Sequence, residues 1–280
     1  MRIRINGADA DIQLEAEKNV GEILYGLDSW LSGTGHRLSG FAIDGKAADS
    51  GSMEAYFDKS VDAVKTLDIT TSAIVDLFAE GLLHTLQDIG AYEAAGFEDK
   101  SRFAEQWKQS PQALLLADQS PDLFDWAVKV FSGEGASPQG FRLLLEERLG
   151  ELRDPAAEMV KAGPLVEEIC ARLEDLSLDI QTGKDSRAAE TASAFSAVAE
   201  KVFRVFNTLK LAGFPVEEIT VENAFITTYI TEFGTALREL LAAYEQHDTV
   251  LVGDLAEYEM APRLRRIHAA ILDAITRREL

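Results

Sequence analysis

Apolar positions recur at steps of three and four through most of this chain. Val166, Ile169, Leu173, Leu176 and Ile180 form one such seam, and Phe195, Val198, Val202, Val205 and Leu209 form a second. Thr182-Gly183-Lys184-Asp185 stands between them. Two heptad-spaced seams joined by a short glycine-containing turn predict an antiparallel helical hairpin. A third seam runs Ile226, Ile230, Phe233, Leu237, Leu240 and Tyr244. A fourth helix is expected from Asp248, an N-cap, through Leu251, Leu255 and Tyr258 to Leu264, Ile267, Ile271 and Ile275. Pro262 interrupts that pattern and predicts a kink or a break, because proline removes a helical hydrogen bond. Residues 163–280 therefore read as an antiparallel bundle of four long helices, one bent.

The segment before the bundle, residues 71–162, reads as a domain of shorter helices. Ser72 is a candidate cap for a helix carrying Ile74, Val75, Phe78, Leu82, Leu86 and Ile89. Four further starts are marked by Ser110-Pro111, Ser120-Pro121, Ser137-Pro138 and Asp154-Pro155. Each sets a capping side chain before a proline at the first helical position. Gly163-Pro164 is expected to separate this segment from the bundle. Trp30, Trp107 and Trp126 occupy apolar helical positions and are expected in cores.

Residues 1–70 switch to a period of two. Ile3 and Ile5 alternate with Arg2, Arg4 and Asn6, and Asn6-Gly7 is a hairpin turn signal. Ile12 and Leu14 alternate with Asp11, Gln13 and Glu15 on an expected second strand. A helix follows over Val20, Ile23, Leu24, Leu27, Trp30 and Leu31, ended by Gly33 and Gly35. Phe41 and Ile43 mark a third strand before the turn Asp44-Gly45. Met53, Tyr56 and Phe57 mark a short segment, and Leu67 and Ile69 a last strand.

This order of hairpin, helix, strand, short segment and strand resembles the ubiquitin-like β-grasp fold. The resemblance covers only the first quarter of the chain and implies a mixed four-stranded sheet on one helix. It offers the roles of conjugated modifier, sulfur carrier or adaptor module. The first two need a free C-terminal Gly-Gly, whereas Thr70-Thr71 leads into a helix and the chain ends Arg277-Arg278-Glu279-Leu280. A ferredoxin-type iron–sulfur relative would need cysteines that this segment lacks. An adaptor role remains, with Arg2, Arg4, Gln13, Glu15, Thr66 and Asp68 on the outward sheet face. The overall fold class is thus α+β followed by all-α: 1–70, 71–162 and 163–280.

Charge narrows the partners. The chain carries 48 acidic and 27 basic residues, a net −21. Residues 71–181 hold 21 of the acidic and 9 of the basic residues, a net −12. Such a surface repels phosphate backbones, so nucleic acid is not an expected partner. Of the basic cluster Arg263, Arg265, Arg266, Arg277 and Arg278, some are expected near a helix C-terminus, where the dipole favours cations, with an anion site as the alternative. The single cysteine, Cys170, lies on an apolar helix side and excludes an intramolecular disulfide. No secretory h-region and no long apolar run is present, so the expected location is cytoplasmic, without a membrane span.

Catalytic and cofactor fingerprints are missing. The residues three before His84, His247 and His268 are Gly81, Tyr244 and Arg265, so no Glu-x-x-His ligand pair exists. No phosphate-binding glycine loop, no His-Glu-x-x-His and no nucleophile elbow occurs, and no cofactor is expected. The densest polar group inside an apolar pattern is Asp254, Glu257, Tyr258 and Glu259, next to Pro262. It reads as a way to satisfy backbone freed by the proline, or as a partner-docking or carboxylate site. The main expectation is a non-enzymatic adaptor or assembly protein working through protein partners, with seams that also suit a homo-oligomer. The alternatives are a carboxylate-based metal-binding protein or enzyme near Pro262, with Glu232 or Glu239 facing that site, and a chaperone-like factor for a secretion or motility apparatus.

Overall fold

A computed structural model of the chain describes residues 1–278 except 13, 15, 16 and 49–55. It divides into two compact units, residues 1–145 and 146–280.

The first unit begins with a mixed five-stranded sheet. Its strands are β1 (Arg2–Ile5), β2 (Ala8–Asp9), β3 (His36–Ile43), β4 (Lys46–Ala47) and β5 (Thr66–Ala73), in the order β2-β1-β5-β3-β4. β1 and β5 are parallel, with Ile3 beside Leu67 and Ile5 beside Ile69; the other pairs are antiparallel. Asn6-Gly7 and Asp44-Gly45 make the two tight turns with positive φ at all four residues, as hairpins of this hand require. Ile3, Phe41, Ile43, Leu67 and Ile69 point to one face, where Val20, Ile23 and Leu24 of α1 (Val20–Ser32) cover them. Asn19 caps α1, accepting from the Glu22 amide at 2.9 Å. Tyr56 and Phe57 close the end of this core against Phe41, at ring separations of 6.1 and 6.0 Å.

Four sequence expectations change here. The expected four-stranded sheet has five strands, because the Asp44-Gly45 turn folds Lys46–Ala47 back beside Ala42 and Ile43. The second strand is Ala8–Asp9, because the Asn6-Gly7 turn brings Ala8 directly opposite Ile5. Ile12 and Leu14 lie past that strand, half-buried against the sheet core. Gln13, Glu15 and Met53 fall outside the described residues. Ser72 is not a helix cap: its backbone pairs with Arg37, and β5 runs to Ala73 before α2 (Ile74–Ala94) begins. Trp30 is 64% exposed, since the stripe turned inward is Val20, Ile23, Leu24 and Leu31.

Helices α2, α3 (Phe97–Trp107), α4 (Pro111–Gln119) and α5 (Pro121–Ser132) follow, and the unit boundary falls within α6 (Pro138–Arg153). Ser110, Ser137 and Asp154 accept amide hydrogens at their helix starts as expected. Ser120 instead donates its hydroxyl to Asp122. Tyr92, Phe103 and Trp107 converge on buried Phe131, and the Trp107 indole donates to Asp88 at 3.0 Å. Trp126 lies on the open side of α5, not in this core.

The second unit is helical. It contains α7 (Pro155–Glu174), α8 (Leu176–Gln181), α9 (Asp185–Leu211), α10 (Ile226–Glu245), α11 (Thr249–Leu255) and α12 (Ala261–Arg278). The predicted hairpin is α7–α8 against α9, and Val166, Ile169, Leu173, Phe195, Val202, Val205 and Leu209 are buried in it. Gly163-Pro164 does not break the chain: both residues lie inside α7. A β-carbon on Gly163 would sit 3.3 Å from the ring of His268 on α12, a tight contact that glycine avoids. A two-residue hairpin, β6 (Thr220–Val221) and β7 (Ala224–Phe225), precedes α10. Its turn uses positive φ at Glu222 and Asn223, without the glycine that ends the other two.

The fourth helix departs most from its expected pattern. Between α11 and α12 the chain makes a π-helical turn, Ala256–Met260, in which the Ala261 amide reaches back to Ala256. That turn stands directly before Pro262 and inserts an extra residue into the repeat. The buried stripe accordingly runs Val252, Leu255, Ala256, Met260 and Leu264, whereas Leu251 and Tyr258 face outward. No helix among the described residues is long and apolar enough to cross a membrane.

Candidate functional site

The third seam, on α10, is only half used. Ile226 and Phe233 are buried, but Leu237 and Leu240 are half-buried and Leu241 and Tyr244 are 56% and 62% exposed. Opposite them α9 presents Ala188, Ala189, Ala192, Ser196 and Ala199, side chains too small to close the space. The result is an apolar groove of about 630 Å³ within the second unit. Phe233 forms part of its floor, with Phe203 at 5.4 Å and Phe195 at 6.3 Å between ring centroids. Leu173, Leu176 and Ile180 of the α7–α8 arm also line it, together with Val252 and His247.

The charged residues lining the groove are Asp185 and Glu200, both acidic and both exposed on α9. Glu200 accepts a hydrogen bond from Ser196 at 3.3 Å. The cations beside Asp185 in sequence are directed elsewhere: Lys184 and Arg187 pair with buried Asp179 at 3.4 and 3.0 Å.

A second polar assembly lies where α6, α7 and α9 meet within this unit. Glu151 is 2% exposed and accepts two hydrogen bonds from Arg204, each 3.2 Å. Arg148 reaches it at 3.4 Å and Lys201 at 3.4 Å. Lys201 also donates to Glu147 at 2.6 Å and Glu158 at 3.2 Å. Burial pushes the Glu151 carboxyl up to about 7, against the pull of Arg148 and Lys201. Burial also acts on Glu158, but hydrogen bonds from Lys161 and Lys201 outweigh it and leave that carboxyl below its ordinary value. This assembly joins three helices with charge-assisted bonds.

The residues singled out beside Pro262 do not converge on one point. Asp254 and Tyr258 are exposed, while Glu257 and Glu259 are half-buried. Tyr258 hydrogen-bonds Glu257, which raises the phenol above its ordinary value. Glu259 is held by Arg263 at 2.8 Å, and Arg263 also reaches Glu232 at 3.3 Å and stacks on Tyr229. Thus Glu232, expected as a facing carboxylate, meets an arginine. Among the described residues no three His, Cys, Asp or Glu side chains are grouped to hold a metal ion.

The arginine cluster is engaged throughout. Arg265 bonds Glu167 at 2.9 Å and also pairs with Glu174; Arg266 pairs with Glu222 at 3.1 Å, and Arg277 bonds Asp273 at 3.1 Å. Arg278 lies over the Phe214 ring. Arg277 and Arg278 stand in the last turn of α12, the helix-end position expected for some of the cluster.

On the outward sheet face Arg2 pairs with Asp9 and Arg4 with Asp68, its register partner on β5. Thr66 at the sheet end donates its amide to Asp44 at 2.8 Å. This face is a ladder of mutual ion pairs.

The sequence pattern places Leu237, Leu240, Tyr244, Leu176 and Ile180 on seams and offers the seams for partner or self contacts, without marking which one stays open. The alanines of α9 were the missing signal, because a seam facing small side chains stays open.

Residues 1–73 match the family model described as the TP0873 N-terminal domain, and residues 158–270 match the domain of unknown function DUF8042. No solved structure matches. An uncharacterized protein of Treponema pallidum (strain Nichols) is 29% identical over 102 residues, which is 36% of this chain and 50% of that protein. The chain therefore spans about half the length of this relative, and the groove from Leu173 to Val252 lies inside the DUF8042 match.

Proposed function

We propose that this chain is a non-enzymatic adaptor or assembly protein whose second unit seats an amphipathic helix of a partner protein in the groove between α9 and α10. One observation carries the reading: an aromatic-floored apolar groove left open along a helix seam. Grooves of this kind receive the apolar face of a helix in helix-in-groove recognition. The stripe from Ala188 to Phe203 is about 22 Å long at 1.5 Å per residue, the length of about four helical turns. The alanine wall lets another helix backbone approach closely. The N-terminal sheet is taken as a β-grasp-like module, supported by its parallel central pair β1–β5 and by α1 on one face. Its ion-paired outer face favours a scaffolding role over the apolar docking that many such modules use.

Replacing Ser196 with a photo-crosslinking residue, in the full chain expressed in its native host, tests the reading. Glu190, exposed on α9 but outside the groove, is the control position. Mass spectrometry should map the Ser196 adduct to an amphipathic helical segment of one protein. A lipid adduct, or equal labelling from both positions, would overturn it.

A further inference from the structure

We infer that the helix seated in the α9–α10 groove carries two cationic side chains about four turns apart, flanking its apolar stripe. The inference rests on the groove reading and adds the chemistry of the partner. Asp185 and Glu200 stand fifteen positions apart on α9, about 22 Å along the axis. They bracket the small residues Ala188, Ala192 and Ser196, so they sit at the two ends of the same wall. Among the described residues no lysine or arginine lines the groove. Lys184 and Arg187, the nearest cations in sequence, are drawn to Asp179, and Lys201 is held by Glu147, Glu151 and Glu158. The groove therefore presents apolar surface flanked along α9 by two exposed carboxylates, with His247 as the basic side chain in its lining. A binding helix meets that charge with lysine or arginine, which steers encounter and fixes the register along the groove.

The same charges argue against other occupants. A fatty acid or anionic lipid would bring its head group toward carboxylates and meet no lysine or arginine among the described lining residues. A second copy of this chain would bring a further net −21. A neutral apolar helix would fill the groove but leave Asp185 and Glu200 without counter-ions.

The test uses the full chain and three labelled amphipathic peptides of about five turns with one leucine stripe. Their flanks carry lysine and arginine, glutamine, or glutamate, and binding is read by fluorescence anisotropy at low and high salt. The cationic peptide should bind up to about tenfold more tightly than the neutral one, as two exposed ion pairs allow, and salt should erase the difference. The glutamate peptide should bind weakest. Asp185→Asn together with Glu200→Gln should remove the preference while neutral binding persists. Both positions are exposed, so circular dichroism and thermal unfolding should match the parent. Ala192→Trp, which fills the groove, should abolish all three. Equal affinity of cationic and neutral peptides, without salt dependence, would overturn the charge inference and leave the groove reading standing. Absence of binding by every peptide, displacement of the label by a long-chain fatty acid, or dimerisation through the groove in light scattering would overturn both.

Discussion

Gly253 on α11 lies so close to Ser177 on α8 that a β-carbon on it would fall 2.6 Å from the Ser177 β-carbon and 3.2 Å from its α-carbon. Backbone is among the obstructing atoms, so rotating the serine side chain does not relieve the clash. Gly253→Ala must push the two helices apart, and overpacking of this kind costs about 1–3 kcal/mol. Urea unfolding should show the midpoint lowered with an unchanged slope. Gly234, in the interior of α10 with nothing within 4 Å of a built β-carbon, supplies the contrast. Gly234→Ala should stabilise by about 0.5–1 kcal/mol, through the lower backbone entropy of alanine in the unfolded chain. Equal effects of the two substitutions would contradict the geometry.

Ala192 is exposed and borders open space in the groove, so a larger side chain there meets solvent-filled volume and not core. Ala192→Trp should leave the thermal midpoint within a few degrees of the parent, as surface substitutions do at roughly 0.5 kcal/mol or less. It should also reduce crosslinking from Ser196. A large loss of stability would mean that α9 and α10 are closed together in solution.

The periodicity of the sequence carried the helical architecture well. Every seam residue named for α7 and for the last stretch of α12 is buried, because long heptad patterns leave few alternatives. The departures are local. At Pro262, where a kink or a break is expected, the chain makes a π turn over Ala256–Met260, and Tyr258, which periodicity sets on the seam, is 66% exposed. Gly163-Pro164 was read as a boundary, but the glycine there makes room for His268, which donates to the Met159 carbonyl at 2.9 Å. Ser72 resembled a cap until strand pairing with Arg37 claimed its backbone. At Gly163 and Ser72 the deciding contact comes from a residue distant in sequence, whereas at Pro262 it is a local π turn. The groove was half legible: its α10 side is a seam, but its openness depends on the alanines of a helix read only for its own apolar face.

Glu151 gives unit 146–280 a distinctive pH dependence. Its carboxyl stands near 7 in the folded chain and near 4.5 when unfolded. Between those values the folded chain keeps a proton that the unfolded chain has released, so unfolding releases a proton. Stability from this group is full below about pH 4.5 and is lost as pH rises through 7. At 1.36 kcal/mol per unit the upper limit is about 3 kcal/mol. The groups around it are Arg148, Lys201, Arg204 and, across Lys201, Glu147 and Glu158. Glu158, with its lowered value, acts in the opposite sense, losing its contribution as pH falls through the acidic range. Urea midpoints of the parent should fall from pH 5 to 7.5, and Glu151→Gln should flatten that slope. An unchanged slope in the variant would assign the dependence to other groups.

Cys170 provides a probe of opening in the same unit. Its thiol is fully buried on α7 and donates to the Ala261 carbonyl at 3.3 Å, at the junction of the π turn and α12. Burial pushes its ionisation up to about 11, so at pH 8 almost no thiolate exists in the folded chain. A disulfide reagent in excess should therefore modify Cys170 only when α7 and α12 separate, at a rate independent of reagent concentration once opening limits the reaction. The unfolded chain, with an ordinary thiol, should react at once. Gly253→Ala loosens α11 against α8, just before the π turn that leads into Ala261, the carbonyl partner of Cys170. It should speed modification at least as much as it lowers global stability. A rate that stays proportional to reagent in the folded protein, and is unmoved by Gly253→Ala, would instead indicate direct access to the sulfur and refute the burial of this contact.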